Sequence, residues 1–223
     1  MKNLTLLIPA KNESESLPSV LDEIKDFKCK KKVILSSDDT ATINAIKNYD
    51  IEIIYQNNRG NGDALIEGIN ETQTEYFCIF NADGSFRSSE IGDMIIHMEN
   101  SKSDFVFGSR YQNNSGSEDD TITTYIGNMI FTFIGKIFFK LQITDILYTF
   151  LVGKTVCARE LNLVQKDFSF CVELPIKAKR KGYKLSSVSS HERSRIAGKK
   201  KVNAFKDGFL ILTHMIKLFF VRS

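Results

Sequence analysis

Five short apolar runs, each followed by a polar or glycine-bearing turn, constrain this chain more than any other feature. Leu4, Leu6, Leu7 and Ile8 form the first run, closed by Pro9. Leu17, Val20, Leu21 and Ile24 then recur at helical spacing, with Ser14 or Ser16 available as an N-cap. Residues 33–35 and 51–55 read as the second and third strands, 76–80 as the fourth and 104–108 as the fifth. Between them Ala64, Leu65 and Ile69 mark one helix, and Ile91, Met94, Ile95 and Met98 another. Strands alternating with helices predict βαβ units with right-handed crossovers. The expected fold class is α/β, a mostly parallel central sheet with helices on both faces.

From about residue 125 the pattern changes. Residues 125–141 read as a strongly apolar helix carrying Phe131, Phe133, Phe138 and Phe139. Residues 170–181 read as a helix, 184–188 as a strand and 205–221 as a final amphipathic helix. A chain of 223 residues suits one domain, and no stretch looks like a linker. The expected organisation is a single unit, 1–223, with a Rossmann-like half (1–124) and a half that shapes a second site (125–223).

A net charge of +3 is too small to argue for nucleic acid. The basic residues are nevertheless uneven, with ten Lys or Arg between 177 and 201 against Glu192 alone. Such a block is either a solvated face or a surface for phosphate groups or an anionic membrane. Cys29, Cys78, Cys157 and Cys171 show no C-x-x-C spacing and read as reduced thiols of a cytoplasmic protein. The N-terminus runs directly into a strand, with no signal-peptide pattern. No uncharged apolar run reaches roughly 18 residues, so a membrane span is not expected.

Ligands of open α/β sheets bind beyond the carboxyl ends of the strands, so the strand-end turns are the candidate site. They carry Pro9-Ala10-Lys11-Asn12-Glu13, Ser36-Ser37-Asp38-Asp39-Thr40, Asn57-Asn58-Arg59-Gly60-Asn61-Gly62, Asn81-Ala82-Asp83-Gly84 and Gly108-Ser109-Arg110. Asp83 before Gly84 either opens a tight turn or reaches a divalent ion that bridges two phosphates. Gly60 and Gly62 before a helix would let backbone amides approach a phosphate. A dinucleotide fingerprint fails because Leu65 stands where the third glycine belongs, and there is no G-x-x-x-x-G-K-[ST] loop.

In their order and spacing these turns resemble the inverting family-2 glycosyltransferases of GT-A fold. The likeness is strongest to the branch of dolichyl-phosphate mannose synthase and the polyprenyl-phosphate glycosyltransferases. Ile8-Pro9-Ala10-Lys11-Asn12-Glu13 is similar to the I-P-x-x-N-E opening, and Asn58-x-Gly60-x-Gly62-x-Ala64 to N-x-G-x-G-x-A. Asn81-Ala82-Asp83-Gly84 is similar to the D-A-D-G metal motif, with Asn81 in place of its first aspartate. Gly108-Ser109-Arg110 is similar to G-S-R, and Arg195-x-x-Gly198-x-x-Lys201 to R-x-x-G-x-S-K.

The resemblance implies a nucleotide-sugar donor, UDP- or GDP-linked, lying across Pro9, Ala10, Asn12, Glu13, Asp38 or Asp39, Asn58, Gly62, Asn81 and Ala82. It implies Mg2+ or Mn2+ on Asp83, with Asn81 beside it. It places Arg110, Arg195 and Lys201 on the acceptor, a polyprenyl phosphate or a glycan hydroxyl, with Asp145 as the base in the glycan case. Glu173 falls where an acceptor-side carboxylate is expected, or simply starts a helix; His191 is a weaker candidate. Peripheral contact of the two Phe-rich helices with an anionic membrane is expected on the cytoplasmic face. Packing of the same stripes into the core or a homodimer stays open, as does a degenerate, non-catalytic nucleotide-sugar-binding module.

Overall fold

The computed structural model describes residues 2–58, 60–198 and 203–221. Its first half follows the alternation of the apolar runs: β1 (Leu4–Pro9), α1 (Leu17–Glu23), β2 (Lys30–Leu35), α2 (Thr40–Ile46), β3 (Glu52–Tyr55), α3 (Asn61–Glu71), β4 (Tyr76–Ile79), α4 (Glu90–Ser101) and β5 (Phe105–Ser109). Successive side chains of a strand point to opposite faces. Leu4, Leu6 and Ile8 of β1 therefore enter the core under α1 and α4, and Leu7 enters the core under α3.

The second half adds β6 (Gly116–Ser117), α5 (Ile122–Phe139), β7 (Leu151–Lys154), α6 (Thr155–Glu160), α7 (Phe170–Arg180), β8 (Leu185–Ser189), β9 (His191–Glu192) and α8 (Ala204–Phe220). The seven-stranded sheet runs β3-β2-β1-β4-β7-β5-β8, and β6 pairs with β9 separately. All pairings are parallel except those of β7, which lies antiparallel between β4 and β5. Sequence reading passes over β7, because Leu151-Val152-Gly153-Lys154 is short and holds a glycine. That glycine is needed there: a Cβ on Gly153 would stand 2.7 Å from ring atoms of both Phe77 and Phe105. A strand of the second half thus sits between two strands of the first.

α5 starts at a capping box, where Thr121 and Thr124 satisfy each other's backbone N–H groups. It begins three residues before the sequence expectation and, by length and composition, is long enough to cross a membrane. The expectation of no uncharged apolar run of that length rested on Lys136, which interrupts this helix. The helix packs against α7 and α8, yet leaves Ile122, Ile126, Met129, Ile130, Phe133, Ile137 and Phe138 exposed. α8 exposes Phe205, Phe209, Leu212, Ile216, Phe219 and Phe220. Ring contact between Phe138 and Phe219, with centroids 5.6 Å apart, joins the two faces. All four cysteines are free, and burial pushes the Cys78 and Cys171 thiols up.

Candidate active site

The carboxyl ends of β1, β4 and β5 open onto a cleft of about 380 Å3. Pro9, Ala10, Lys11 and Glu13 line it from the first turn. Asn12 supports that turn from behind. Its φ is +52°, in the left-handed region that asparagine tolerates better than most residues. Its N–H donates to Asp39 Oδ2 at 2.6 Å. Asp39 also accepts from Thr42 N–H as the N-cap of α2, while the Glu13 N–H donates to Thr42 Oγ1. Both Asp39 oxygens therefore hold backbone, whereas Asp38 is exposed. Neither aspartate lines the cleft.

The glycine turn also has a steric cause inside the fold. A Cβ on Gly62 would stand 2.2 Å from the Gln165 carbonyl oxygen and 2.6 Å from that of Asp167; one on Gly60 would stand 2.0 Å from the Lys166 carbonyl oxygen. The amide of Asp63 already donates to Lys166 O at 3.1 Å. These glycines admit a second chain segment, which Glu173 holds in place. Fully buried, Glu173 accepts from the N–H groups of Val164 and Gln165 and pairs with Lys177 at 2.8 Å. Gln56, Gly60, Asn61 and Ala64 line the cleft, while Asn58 and Gly62 stand behind it. Gly62→Ala is expected to cost about 1–3 kcal/mol, as overpacking against rigid backbone does. An unchanged urea midpoint would show that the 165–167 segment yields instead.

Asp83 and Asn81 face the cleft together. Asp83 Oδ1 accepts from the N–H of Ser85 at 3.0 Å and from its hydroxyl at 2.7 Å, and Asn81 donates to the same hydroxyl at 3.3 Å. Asp83 Oδ2 looks toward Arg195 Nη1, 3.8 Å away. Among the described residues no cluster of three or more His, Cys, Asp or Glu forms a self-sufficient metal cage. One oriented carboxylate oxygen with an amide beside it does fit a hard divalent ion that takes its remaining ligands from phosphates and water.

Arg110 is the hub of the opposite wall. Its Nε and Nη2 reach Asp145 at 2.8 and 3.1 Å, and Nη1 reaches Glu192 at 3.0 Å. The Tyr148 ring lies 4.7 Å from the guanidinium carbon. Burial opposes the charge, but the Asp145 and Glu192 carboxylates outweigh it and keep the guanidinium protonated. Asp145 is fully buried behind Arg110 and also accepts from Asn128 at 2.5 Å. It lies outside the cleft lining and holds Arg110 from behind. Arg195 pairs with Asp119 at 2.9 Å and lies beside Asp83. Lys201 lies outside the described residues.

Sequence reading overlooked Asp119, Asp120 and Glu192, all of which line the cleft. The run Glu118-Asp119-Asp120 soon after the Gly108 turn was the available signal. Asp120 accepts from the Tyr111 hydroxyl and, at 2.7 Å, from Thr124. Glu118 pairs with His191 at 3.0 Å, which gives that histidine a structural partner.

A mostly parallel sheet interrupted by one antiparallel strand, with a carboxylate turn at a strand end, agrees with the GT-A architecture that the resemblance implies. The family model for glycosyl transferase family 2 matches residues 5–160, and the chain belongs to that family. It is 24% identical over 209 residues to an uncharacterised glycosyltransferase of Mycobacterium tuberculosis, covering 93% of each chain. It is 25% identical over 168 residues to the UDP-N-acetylglucosamine–dolichyl-phosphate N-acetylglucosaminyltransferase of Methanococcus voltae, covering 65% of this chain and 66% of that protein. In fold it resembles glucosyl-3-phosphoglycerate synthase from Mycobacterium tuberculosis, crystallised with Mn2+ and UDP-glucose. There the TM-score is 0.76 at 11% identity, over 99% of this chain and 80% of that one.

Proposed function

We propose that this glycosyltransferase moves a sugar from a UDP- or GDP-sugar to a polyprenyl phosphate at the cytoplasmic face of a membrane, inverting the anomeric centre. One observation carries the acceptor. α5 lines the cleft with Thr124 and Asn128 while its other sides bare Ile122, Ile126, Met129, Ile130 and Phe133. A lipid-borne phosphate would thus reach the cleft along the helix that meets the lipid. Asn128 ties α5 to the buried Asp145, which favours a helix lying on the bilayer over one crossing it. The Methanococcus voltae relative, named for a dolichyl-phosphate acceptor, supports the same reading.

The donor would lie along Pro9–Glu13 and beside Gln56, Gly60 and Asn61, its diphosphate beside Asp83. Asp83 and Asn81 would hold Mg2+ or Mn2+, which when bound neutralises charge on the departing diphosphate. A phosphate monoester has its second ionisation near about pH 6, so the acceptor is already a dianion at neutral pH and needs no strong base. Its oxygen would bond to the anomeric carbon as the carbon–oxygen bond to the diphosphate breaks. Arg195, exposed to the cleft beside Asp83, is placed for a phosphate; Arg110 holds the wall through Asp145 and Glu192. A glycan hydroxyl is the second reading, favoured by the carboxylates of Asp119, Asp120 and Glu192 in the lining. One of these would then serve as base.

Vesicle sedimentation separates the two. Lys136, Lys140, Lys206 and Lys217 lie exposed on α5, at its C-cap and on α8, and each basic residue near an anionic surface contributes about 1 kcal/mol. Binding to anionic vesicles at low salt, weakened by high salt and by Phe133→Glu with Phe209→Glu, is expected. No sedimentation at low salt would point to a soluble acceptor, and concentration-dependent dimers would mean that a second copy covers this face.

A further inference from the structure

Arg195 stands between two carboxylates. Nη2 is 2.9 Å from Asp119 Oδ2 and Nη1 is 3.8 Å from Asp83 Oδ2. All three side chains line the cleft, and each keeps between 16% and 20% of its surface exposed. Hydrogen bonding to Asp119 is the main influence that holds Arg195 further on the charged side. The pairing is built into the backbone. β6 and β9 align Gly116 with His191 and Ser117 with Glu192, and Glu118 N–H donates to Glu192 O at 2.9 Å. The same two segments therefore deliver Asp119 and Arg195 to each other. Its neighbours are committed elsewhere: Glu118 accepts from His191 and from Ser194 N–H, Asp120 from Tyr111 and Thr124.

Among the described lining residues five carboxylates, Glu13, Asp83, Asp119, Asp120 and Glu192, surround three cations, Lys11, Arg110 and Arg195. A phosphate reaches either arginine only by displacing a carboxylate that already holds it. Arg110 is poorly suited to that exchange, since its side chain is only 10% exposed and is gripped by Asp145. Among the described residues Arg195 has two carboxylate partners against three for Arg110, and its side chain is twice as exposed.

We propose that Asp119 is the resting counter-ion of Arg195, and that a phosphate group entering the cleft takes its place on the guanidinium. Carboxylate and phosphate both match the planar fork of arginine, and the phosphate brings more charge and more acceptor oxygens. Asp119 thereby sets phosphate affinity by competition, acting as a positioning residue that never needs to touch the sugar. This rests on the reading of the cleft as a nucleotide-sugar site. The phosphate is that of the donor diphosphate or that of the acceptor monoester, and the two are distinguishable.

The test is calorimetric binding of manganese pyrophosphate, as the donor mimic, and of phenyl phosphate, as the acceptor mimic. Asp119→Asn keeps the shape and removes the charge, and is expected to bind at least one of these about fivefold tighter or more than the parent protein. A gain for pyrophosphate alone assigns Arg195 to the donor, and one for phenyl phosphate alone assigns it to the acceptor. Arg195→Gln should weaken binding and erase the gain in the double variant, while Asp119→Glu should restore the parent affinity. Should Asp119→Asn lose stability, Asp119→Ser provides the same charge removal with a smaller side chain. Equal or weaker binding in both folded variants would overturn the proposal and make Asp119 a fixed support for Arg195. UDP- and GDP-sugar binding by the parent protein is measured alongside. Its absence overturns the nucleotide-sugar reading itself, whereas its presence with unmoved phosphate affinity in Asp119→Asn overturns only the exchange.

Discussion

Asp83→Ala is expected to lower kcat/KM by about a thousandfold or more, roughly 4 kcal/mol of transition-state stabilisation, with the fold retained. The reason is geometric. Asp83 presents its Oδ2 to the cleft because Ser85 anchors Oδ1 through both its N–H and its hydroxyl. A free aspartate on a turn would have to be ordered before it could hold an ion, whereas this one is ordered beforehand. Removing it takes the acceptor from the buried Ser85 donors, at a stability cost of about 1–3 kcal/mol. Asn81→Asp should keep activity and tighten Mn2+ binding, since it adds a second hard oxygen beside the first. Full turnover by Asp83→Ala, or by the parent protein in excess chelator, would exclude the metal from the reaction.

Arg110→Ala should act on the fold before it acts on any substrate. Asp145 has no exposed surface and depends on the guanidinium, with Asn128 as its other side-chain partner. Stranding a buried carboxylate in this way costs about 3–5 kcal/mol. Glu192 and Tyr148 lose a partner in the same step. Denaturant unfolding should therefore show a large fall in midpoint. The paired change Arg110→Met with Asp145→Leu should recover much of it, because the stranded charge is then removed as well. Arg110→Lys should recover little, as an ammonium cannot reproduce a two-point grip on one carboxylate while also reaching another. Wild-type stability together with a raised KM for the acceptor would return Arg110 to the phosphate-binding role that its G-S-R setting implies.

The contrast between these two residues shows how far sequence reading carries. Both were singled out from turns at strand ends, and both do line one cleft. Asp83 keeps its expected position because its ordering partner, Ser85, is two residues away. Arg110 differs because Asp145 is 35 residues distant and Glu192 is 82. The glycines behave likewise. Their position before α3 was legible, but their purpose was not, since the carbonyls that forbid a Cβ come from residues 165–167. β7 escaped notice because four residues with a central glycine carry too little periodicity, and only Phe77 and Phe105 explain why that glycine must be there.

By itself the sequence determined the alternating sheet, the five strand-end turns, the apolar stripes of α5 and α8 and the carboxylate at the head of the cleft. Those features rest on apolar periodicity and on turn chemistry, both of which act over a few residues. Tertiary structure alone decided which charge answers which. It set Asp145 behind Arg110, Glu173 beneath the 164–165 segment and Asp119 against Arg195 across 76 residues of chain. A charged side chain takes its role from the groups that folding brings within about 4 Å, where a buried pair is strong and an unpaired charge is costly. No local pattern encodes those neighbours.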